Sequence, residues 1–405
     1  MTRYRRTEYV IVHRQETSFV DIPLLLQGIA QPAPLRQTYA LSILSGEEHP
    51  ITSEELEILF AVPAREWATA DEIRGDDPDA GVTLGGLAER GLLLSDEERP
   101  RLAELRRRDE QLSSSAWNFF AALYHFMTRW GDVDVERALT HEQEIERSGA
   151  PSDERLKALA ERLRPPPPSF HAIERASATL ELPQPSGDGP LHELLLRRKT
   201  TRAFNRDRPL TAEELSVVLR YTFGCQGTTP LLGDLVAIRK TSPSGGALHP
   251  IEVYPLVAAV DGVEPGLYHY RVDRHALELL SPLRAEEARE LAVVFAAGQS
   301  YAASAAVVLV LTARFYRNFW KYRHHQKAYS VLLMDAGHVS QTFYLVCTEL
   351  GLGAFVSAAI NNRNIEERLE IDGFEEGALA VCGCGAPADV ESELEPNFEP
   401  YVLGR

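Results

Sequence analysis

An α+β chain in two folded regions is what the sequence predicts, on three observations. Proline and glycine concentrate between about residues 148 and 190, in SGAPSDERL, the run Pro165 to Pro168 and LPQPSGDGP, a composition that gives extended, semi-rigid linkers. Beyond that stretch, helical and strand patterns alternate to the C-terminus. No GxGxxG opens a βαβ unit, which argues against a doubly wound parallel sheet. The expected organisation is an N-terminal region at 1–147, a Pro-rich linker at 148–189 and a C-terminal domain at 190–405.

Taken in order, the first strand candidate is Tyr9 to His13, and a helix start is signalled by Thr52-Ser53-Glu54-Glu55. After Trp67, TADEI and VTLGGLAERGLLLSD predict a short helix, a turn, a second helix and a returning strand, the order of a winged-helix unit. The second helix offers one arginine, Arg90, among acidic neighbours, so the unit is unsuited to reading DNA and suits a structural lid or a peptide-docking module. Ser113 to Trp130, SSSAWNFFAALYHFMTRW, predicts one aromatic-rich helix, either a core or interface stripe or the lining of a ligand pocket. Further on, helices are expected at 190–199, 211–223 and 285–297, strands at 251–260 and in AAVVLVLTARF, and a hairpin through GLYHYRVDRHALELL. A long helix at about 329–350 places Tyr329, Leu332, Leu333, Ala336, Ser340, Phe343, Cys347 and Leu350 on one face, the pattern of a helix central to a domain or dimer. Strands at 353–360 and 377–383 complete the domain.

Composition narrows the function. The 405 residues are 44% hydrophobic and 25% charged, with a net charge of -17, which disfavours general affinity for nucleic acid or anionic membrane. Any phosphate site must be a local basic cluster. Four cysteines with no CxxC pair fit a reducing compartment, and no segment reads as a signal peptide or a membrane span; a cytoplasmic location is expected.

Four constellations could carry chemistry. Arg198-Lys199-Thr200-Thr201-Arg202 places two guanidinium groups and a hydroxyl at a helix end, suited to a phosphate monoester or simply to solvent. Thr241-Ser242-Pro243-Ser244-Gly245-Gly246 precedes a strand, and the paired glycines let the backbone approach a planar ligand or merely turn tightly. Lys321-Tyr322 supplies two proton-transfer groups ahead of the long helix. Gly351, Gly353 and Ala354 follow that helix, where capping alone also accounts for a glycine. His324-His325 lacks a matching ligand spacing, and Cys382-Gly383-Cys384 ends an apolar strand, so no metal is expected.

The order R-x-T-x-R-x-F, TSPSGGALHPIEVY, KY, DAGHVSQ, ELGLGAF, with GVEPGLYHY between the second and third, resembles the FMN-dependent nitroreductase superfamily over about residues 190 to 387. Within it the chain is similar to the SagB-type branch, dehydrogenases of ribosomally made peptides that oxidise azolines to azoles. The resemblance implies an antiparallel or mixed sheet with long central helices, a homodimer and FMN. It implies that Arg198, Thr200 and Arg202 hold the FMN phosphate, that Pro243, Ser244, Gly245 and Gly246 line the isoalloxazine, and that Gly351, Gly353 and Ala354 lie near its other side. Lys321 and Tyr322 match the Lys-Tyr pair of azoline-oxidising members, in which one removes the α-proton while a hydride passes to flavin N5. Two departures stand out: Thr342 where relatives commonly carry asparagine, and RHHQKAYS where a glycine-containing segment is usual.

The resemblance also implies a precursor peptide as substrate, other peptide-modifying enzymes as partners, and an N-terminal peptide clamp that adds a leader strand to its sheet edge. Two further expectations share the flavin fold. One is an NAD(P)H-dependent nitro or quinone reductase, and the other is a peptide-binding scaffold without activity.

Overall fold

The computed structural model describes residues 1–19, 33–75, 77–137, 169–171, 173, 175–183, 189–232 and 235–389. The N-terminal region contains β1 (Arg3–Arg6), β2 (Val10–Phe19), β3 (Ala33–Ser42), β4 (Glu47–Pro50), α1 (Ser53–Ala61), β5 (Ala68–Thr69), α2 (Ala70–Arg74), α3 (Ala80–Glu89), β6 (Leu93–Ser95), α4 (Pro100–Ser114) and α5 (Phe119–Met127). Two antiparallel sheets form, β5-β1-β6 and β2-β3-β4. Thr52 and Thr69 each close a reciprocal cap with the glutamate three residues on, Glu55 and Glu72, which fixes where α1 and α2 begin. Arg90 is consumed internally, bonding Glu55 and the Pro50 carbonyl, so its charge is not offered to a polyanion.

The expected single helix over 113–130 is two. Helix α4 ends at Ser114, Ala116 takes φ 56°, and Asn118 caps a new helix by accepting from the Phe120 and Ala121 amides. Trp117 occupies the break and is 2% exposed.

The C-terminal region contains α6 (Pro190–Arg197), α7 (Ala212–Thr222), β7 (Gly227–Leu232), β8 (Leu235–Arg239), β9 (Ile251–Val257), β10 (Gly266–Arg271), β11 (Ala276–Pro282), α8 (Ala285–Phe295), β12 (Val307–Arg314), α9 (Phe315–Tyr322), α10 (Ala328–Glu349), β13 (Gly353–Ser357), α11 (Asn362–Leu369) and β14 (Glu376–Gly385). Six strands make one antiparallel sheet in the order β11-β10-β9-β12-β14-β13. Strand β12 is buried on both faces from Val307 to Ala313, which is why its sequence is continuously apolar rather than alternating. One face packs against α7 and α10, the other against α8 and α11.

Helix α10 buries Tyr329, Leu332, Ala336, Phe343 and Cys347 as its periodicity predicts, together with Asp335, Val339 and Val346. Leu333, placed on that face from sequence, is 42% exposed beside Met334. The buried stripe runs through 332, 335, 336 and 339, and a residue one step beyond Leu332 is rotated about 100° away from it.

The core on the α7 and α10 side of the sheet is continuous with that of the N-terminal region. Trp117 stacks within 4.7 to 6.1 Å of Phe315, Phe319 and Tyr329, so α5 is seated on α9 and α10. Most of the expected linker lies outside the described residues.

Candidate functional site

Two clusters of the residues singled out from sequence are strung along α10. The first lies where α6 ends. The Arg198 guanidinium sits 5.3 Å from the centre of the Tyr344 ring, and Thr200 Oγ1 lies 3.0 Å from the Tyr344 hydroxyl. Arg202 lies over the Tyr301 ring at 5.7 Å. Between them, the Thr201 amide donates to the Ala354 carbonyl at 2.7 Å, and a Cβ on Gly353 would lie 2.7 Å from Thr201 Cγ2, so glycine is required at 353. The Arg-Thr-Arg segment and Gly353-Ala354 are therefore one unit. Gly351 differs: its Cβ would meet nothing within 4 Å, and φ 70° at the end of α10 is what calls for glycine there.

The second cluster lies nine residues back along α10, about 13 Å at roughly 1.5 Å per residue. Asp335, 2% exposed, accepts from Ser244 Oγ at 2.5 Å and from the Gly245 amide at 3.0 Å. Burial pushes the Asp335 carboxyl above its ordinary range, against the pull of these two hydrogen bonds. Ser244 Oγ in turn accepts from the His249 amide at 2.9 Å, so the whole PSGGALH turn is tied to α10 through one carboxylate. Pro243 flanks the turn and is exposed.

Lys321 and Tyr322, in the last turn of α9, stand over this turn. Gly246 takes φ 64°, and a Cβ there would lie 2.6 Å from Lys321 Nζ and 2.9 Å from the Tyr322 hydroxyl. On Gly245 a Cβ would lie 2.2 Å from Val331 Cγ1. A side chain on Gly246 would have to move the Lys-Tyr pair, and one on Gly245 would have to move Val331.

The N-terminal region holds α9 in place. His324 Nδ1 donates to the Trp117 carbonyl at 3.0 Å, and Asn118 Nδ2 donates to the His324 carbonyl at 3.0 Å. His324 thus has a structural partner immediately after Lys321-Tyr322. Thr342, the departure on α10, pairs with Ser242 Oγ at 2.6 Å. Cys347, Cys382 and Cys384 are buried, and burial pushes the Cys347 and Cys382 thiols well up, so these two stay protonated and pack as small apolar groups.

Sequence reasoning left Asp335, Tyr344 and Tyr301 without a role. For Asp335 a signal was present: an acid in the middle of an otherwise apolar helical stripe. The tyrosines carried none, because each meets its arginine only through the fold.

A basic turn, a glycine turn with no room for a Cβ, and Lys321-Tyr322 beside it make up the candidate oxidoreductase site. The nitroreductase family matches residues 195–386, and the chain belongs to that family. The chain is 36% identical over 181 residues to "Putative nitroreductase MJ1384" of Methanocaldococcus jannaschii, covering 45% of this chain and 84% of that protein. It is 28% identical over 223 residues to the trifolitoxin-processing protein TfxB of Rhizobium leguminosarum bv. trifolii, covering 53% of this chain and 58% of TfxB. A solved structure of the E. coli microcin synthetase McbBCD complex with truncated pro-MccB17 bound superimposes with a TM-score of 0.47 at 21% identity, covering 72% of this chain and 99% of that one. Among the described residues no helix is long and apolar enough to cross a membrane.

Proposed function

We propose that the chain is an FMN-dependent dehydrogenase of ribosomal peptide maturation, oxidising an azoline to an azole or desaturating a peptide residue. The observation that carries this reading is the seating of Lys321 and Tyr322 directly against Gly246, the turn that would face a flavin ring. A reductase that only shuttles electrons from NAD(P)H needs no carbon acid–base pair at that position. Kinship with a trifolitoxin-processing protein supports a peptide substrate.

The residues fit FMN. Arg198, Thr200 and Arg202 would hold the phosphate, the arginines oriented by the Tyr344 and Tyr301 rings. The Gly245-Gly246 backbone and Gly353-Ala354 would border the ring system. When bound, FMN supplies a two-electron acceptor. Lys321 Nζ or Tyr322 Oη takes the proton from the substrate α-carbon, and the close approach of Gly246 leaves room for that pair. Asp335 keeps the turn in register through Ser244 and Gly245.

The arrangement α1-β5-α2-α3-β6, with β1 completing a three-stranded sheet, supports a winged-helix-like module serving as a peptide clamp. A homodimer, a cytoplasmic location and cooperation with other peptide-modifying enzymes belong to the same reading. So does the division into 1–147, 148–189 and 190–405.

The test is anaerobic. FMN-loaded protein is mixed with a candidate precursor peptide, with and without NADPH, while flavin absorbance and peptide mass are followed. Bleaching by the peptide alone, with loss of one H2 from its mass, is the expected outcome. Bleaching by NADPH alone with the peptide unchanged would move the protein to the reductases.

A further inference from the structure

Past the glycine turn the chain runs through His249 into β9, and there a cavity of about 660 Å³ opens between β8, β10 and the start of α9. Its walls carry an excess of positive charge that the fold does not compensate. Glu252 is matched: it pairs with Arg314 at 3.3 Å and with His269 at 3.8 Å. Lys240 and Arg317 are not. Among the described residues no carboxylate lies within ion-pair distance of either, and Lys240, 8% exposed, makes no hydrogen bond. Arg317 spends only its Nε, donating to the Leu248 carbonyl at 2.6 Å. Arg220, also without an ion pair among the described residues, adds a third cation to the lining.

A buried ammonium with no ion-pair or hydrogen-bond partner costs stability, and the Glu252 charge beyond ion-pair distance returns only part of it. Desolvation accordingly pushes Lys240 below the usual lysine range, and burial with Lys240 and Arg317 nearby holds His249 at about 4, neutral at physiological pH. Such a cost is retained where an incoming anion offsets it. The cavity is joined to the candidate active site by chain geometry. His249 hangs from the same Ser244 hydroxyl that bonds Asp335, and Arg317 lies one helical turn before Lys321 on α9. A second cavity of about 420 Å³, lined by Ala247, Leu248 and Trp320, shares Arg314 and Arg317 with the first.

We propose that this cavity is a substrate subsite that binds a carboxylate, with Lys240 Nζ and the free end of Arg317 as its partners. One negative charge suits it better than two, because Glu252 stands in the same wall and would repel a dianion. A carboxylate seated there anchors its peptide one helical turn from Lys321. This subsite rests on the peptide-substrate reading for its ligand, and its test measures binding without turnover, so the two stand or fall separately.

N-acetylglutamate α-amide and its neutral isostere N-acetylglutamine α-amide are titrated by calorimetry into the FMN-loaded full chain. N-acetyl-diglycine is titrated in parallel as a C-terminal carboxylate, and inorganic phosphate as a competitor. At least one carboxylate probe is expected to bind about tenfold more tightly than the glutamine probe, the scale of one charge-assisted hydrogen bond. Which probe binds better distinguishes a side-chain from a C-terminal source. Lys240→Met should remove that preference, and Lys240→Arg should restore most of it, with flavin content unchanged in both. Equal binding of the glutamine probe and both acids, an undiminished preference in Lys240→Met, or phosphate binding more tightly than either carboxylate would overturn the proposal. If Lys240→Met fails to hold flavin, the acid-against-amide comparison on the unsubstituted chain and the Lys240→Arg titration decide.

Discussion

At Gly246 two constraints coincide that are usually separate. Its φ of 64° disfavours any Cβ, and the space a Cβ would take is filled by Lys321 Nζ and the Tyr322 hydroxyl. Gly246→Ala is therefore expected to cost about 1–2 kcal/mol from backbone strain alone, and to displace the Lys-Tyr pair. A lower melting temperature with retained flavin and lost peptide oxidation is the result to look for; full turnover would show that the pair does not act from this position. Lys321→Ala should leave FMN bound and stop oxidation, and undiminished turnover would remove Lys321 from the chemistry. Arg323, just beyond, takes φ 39° at the end of α9, a left-handed value for which glycine is relaxed. Arg323→Gly should be as stable as the native chain or more stable by about 1 kcal/mol at most, read from an unchanged or slightly higher melting temperature. The glycines were legible as residues needing close approach. What they approach was not, because Lys321 lies 75 positions on and no local pattern reports it.

Among the elements, α5 and α9 form a lock. Trp117 fills the gap between them, and the mutual bonds of His324 with Trp117 and Asn118 fasten the residues that follow Tyr322. Asn118 performs two tasks, since its Oδ1 caps α5 while its Nδ2 holds the His324 carbonyl. Asn118→Ala should cost about 1 kcal/mol from the cap, and lower kcat for the peptide more than it lowers FMN occupancy. Within the same packing, His125 is 2% exposed, accepts from the Tyr329 hydroxyl at Nδ1 and donates from Nε2 to the Gly373 carbonyl. Burial is the main cause, with the Arg129 charge second, that lowers it from 6.5 to about 3. A base depressed on folding contributes stability that is fully present above its unfolded value of 6.5 and is lost as pH falls toward 3. The loss over that window is on the order of 5 kcal/mol. Melting temperatures measured across the window should fall steeply for the native chain, while His125→Gln should start lower and fall less. Parallel curves would remove His125 from the acid response. Element boundaries were largely legible from caps and periodicity. The break at Ala116 was not, because an aromatic run with good helical spacing gives no sign that Trp117 is buried in a break between two helices.

For the whole molecule, proline-rich composition suggested two regions joined by a spacer, yet one apolar core runs through both. A linker's composition reports the stiffness of that segment and says nothing of whether the regions it joins bury surface against each other. Phe315, Phe319, Phe374 and Tyr329 meet Trp117, His125 and Phe126 across that junction, all of them buried. Removing the N-terminal region would expose this aromatic floor and release α9, the helix that carries Lys321 and Tyr322. Residues 189–405 expressed alone are therefore expected to bind a hydrophobic dye, to aggregate, and to hold FMN poorly. Co-expression with residues 1–137 should restore solubility and flavin, because the seat of α5 on α9 and α10 is made of side-chain packing and does not require the intervening chain. A monodisperse, flavin-loaded fragment 189–405 would instead show that the flavin fold is complete by itself and that the N-terminal region serves the substrate alone.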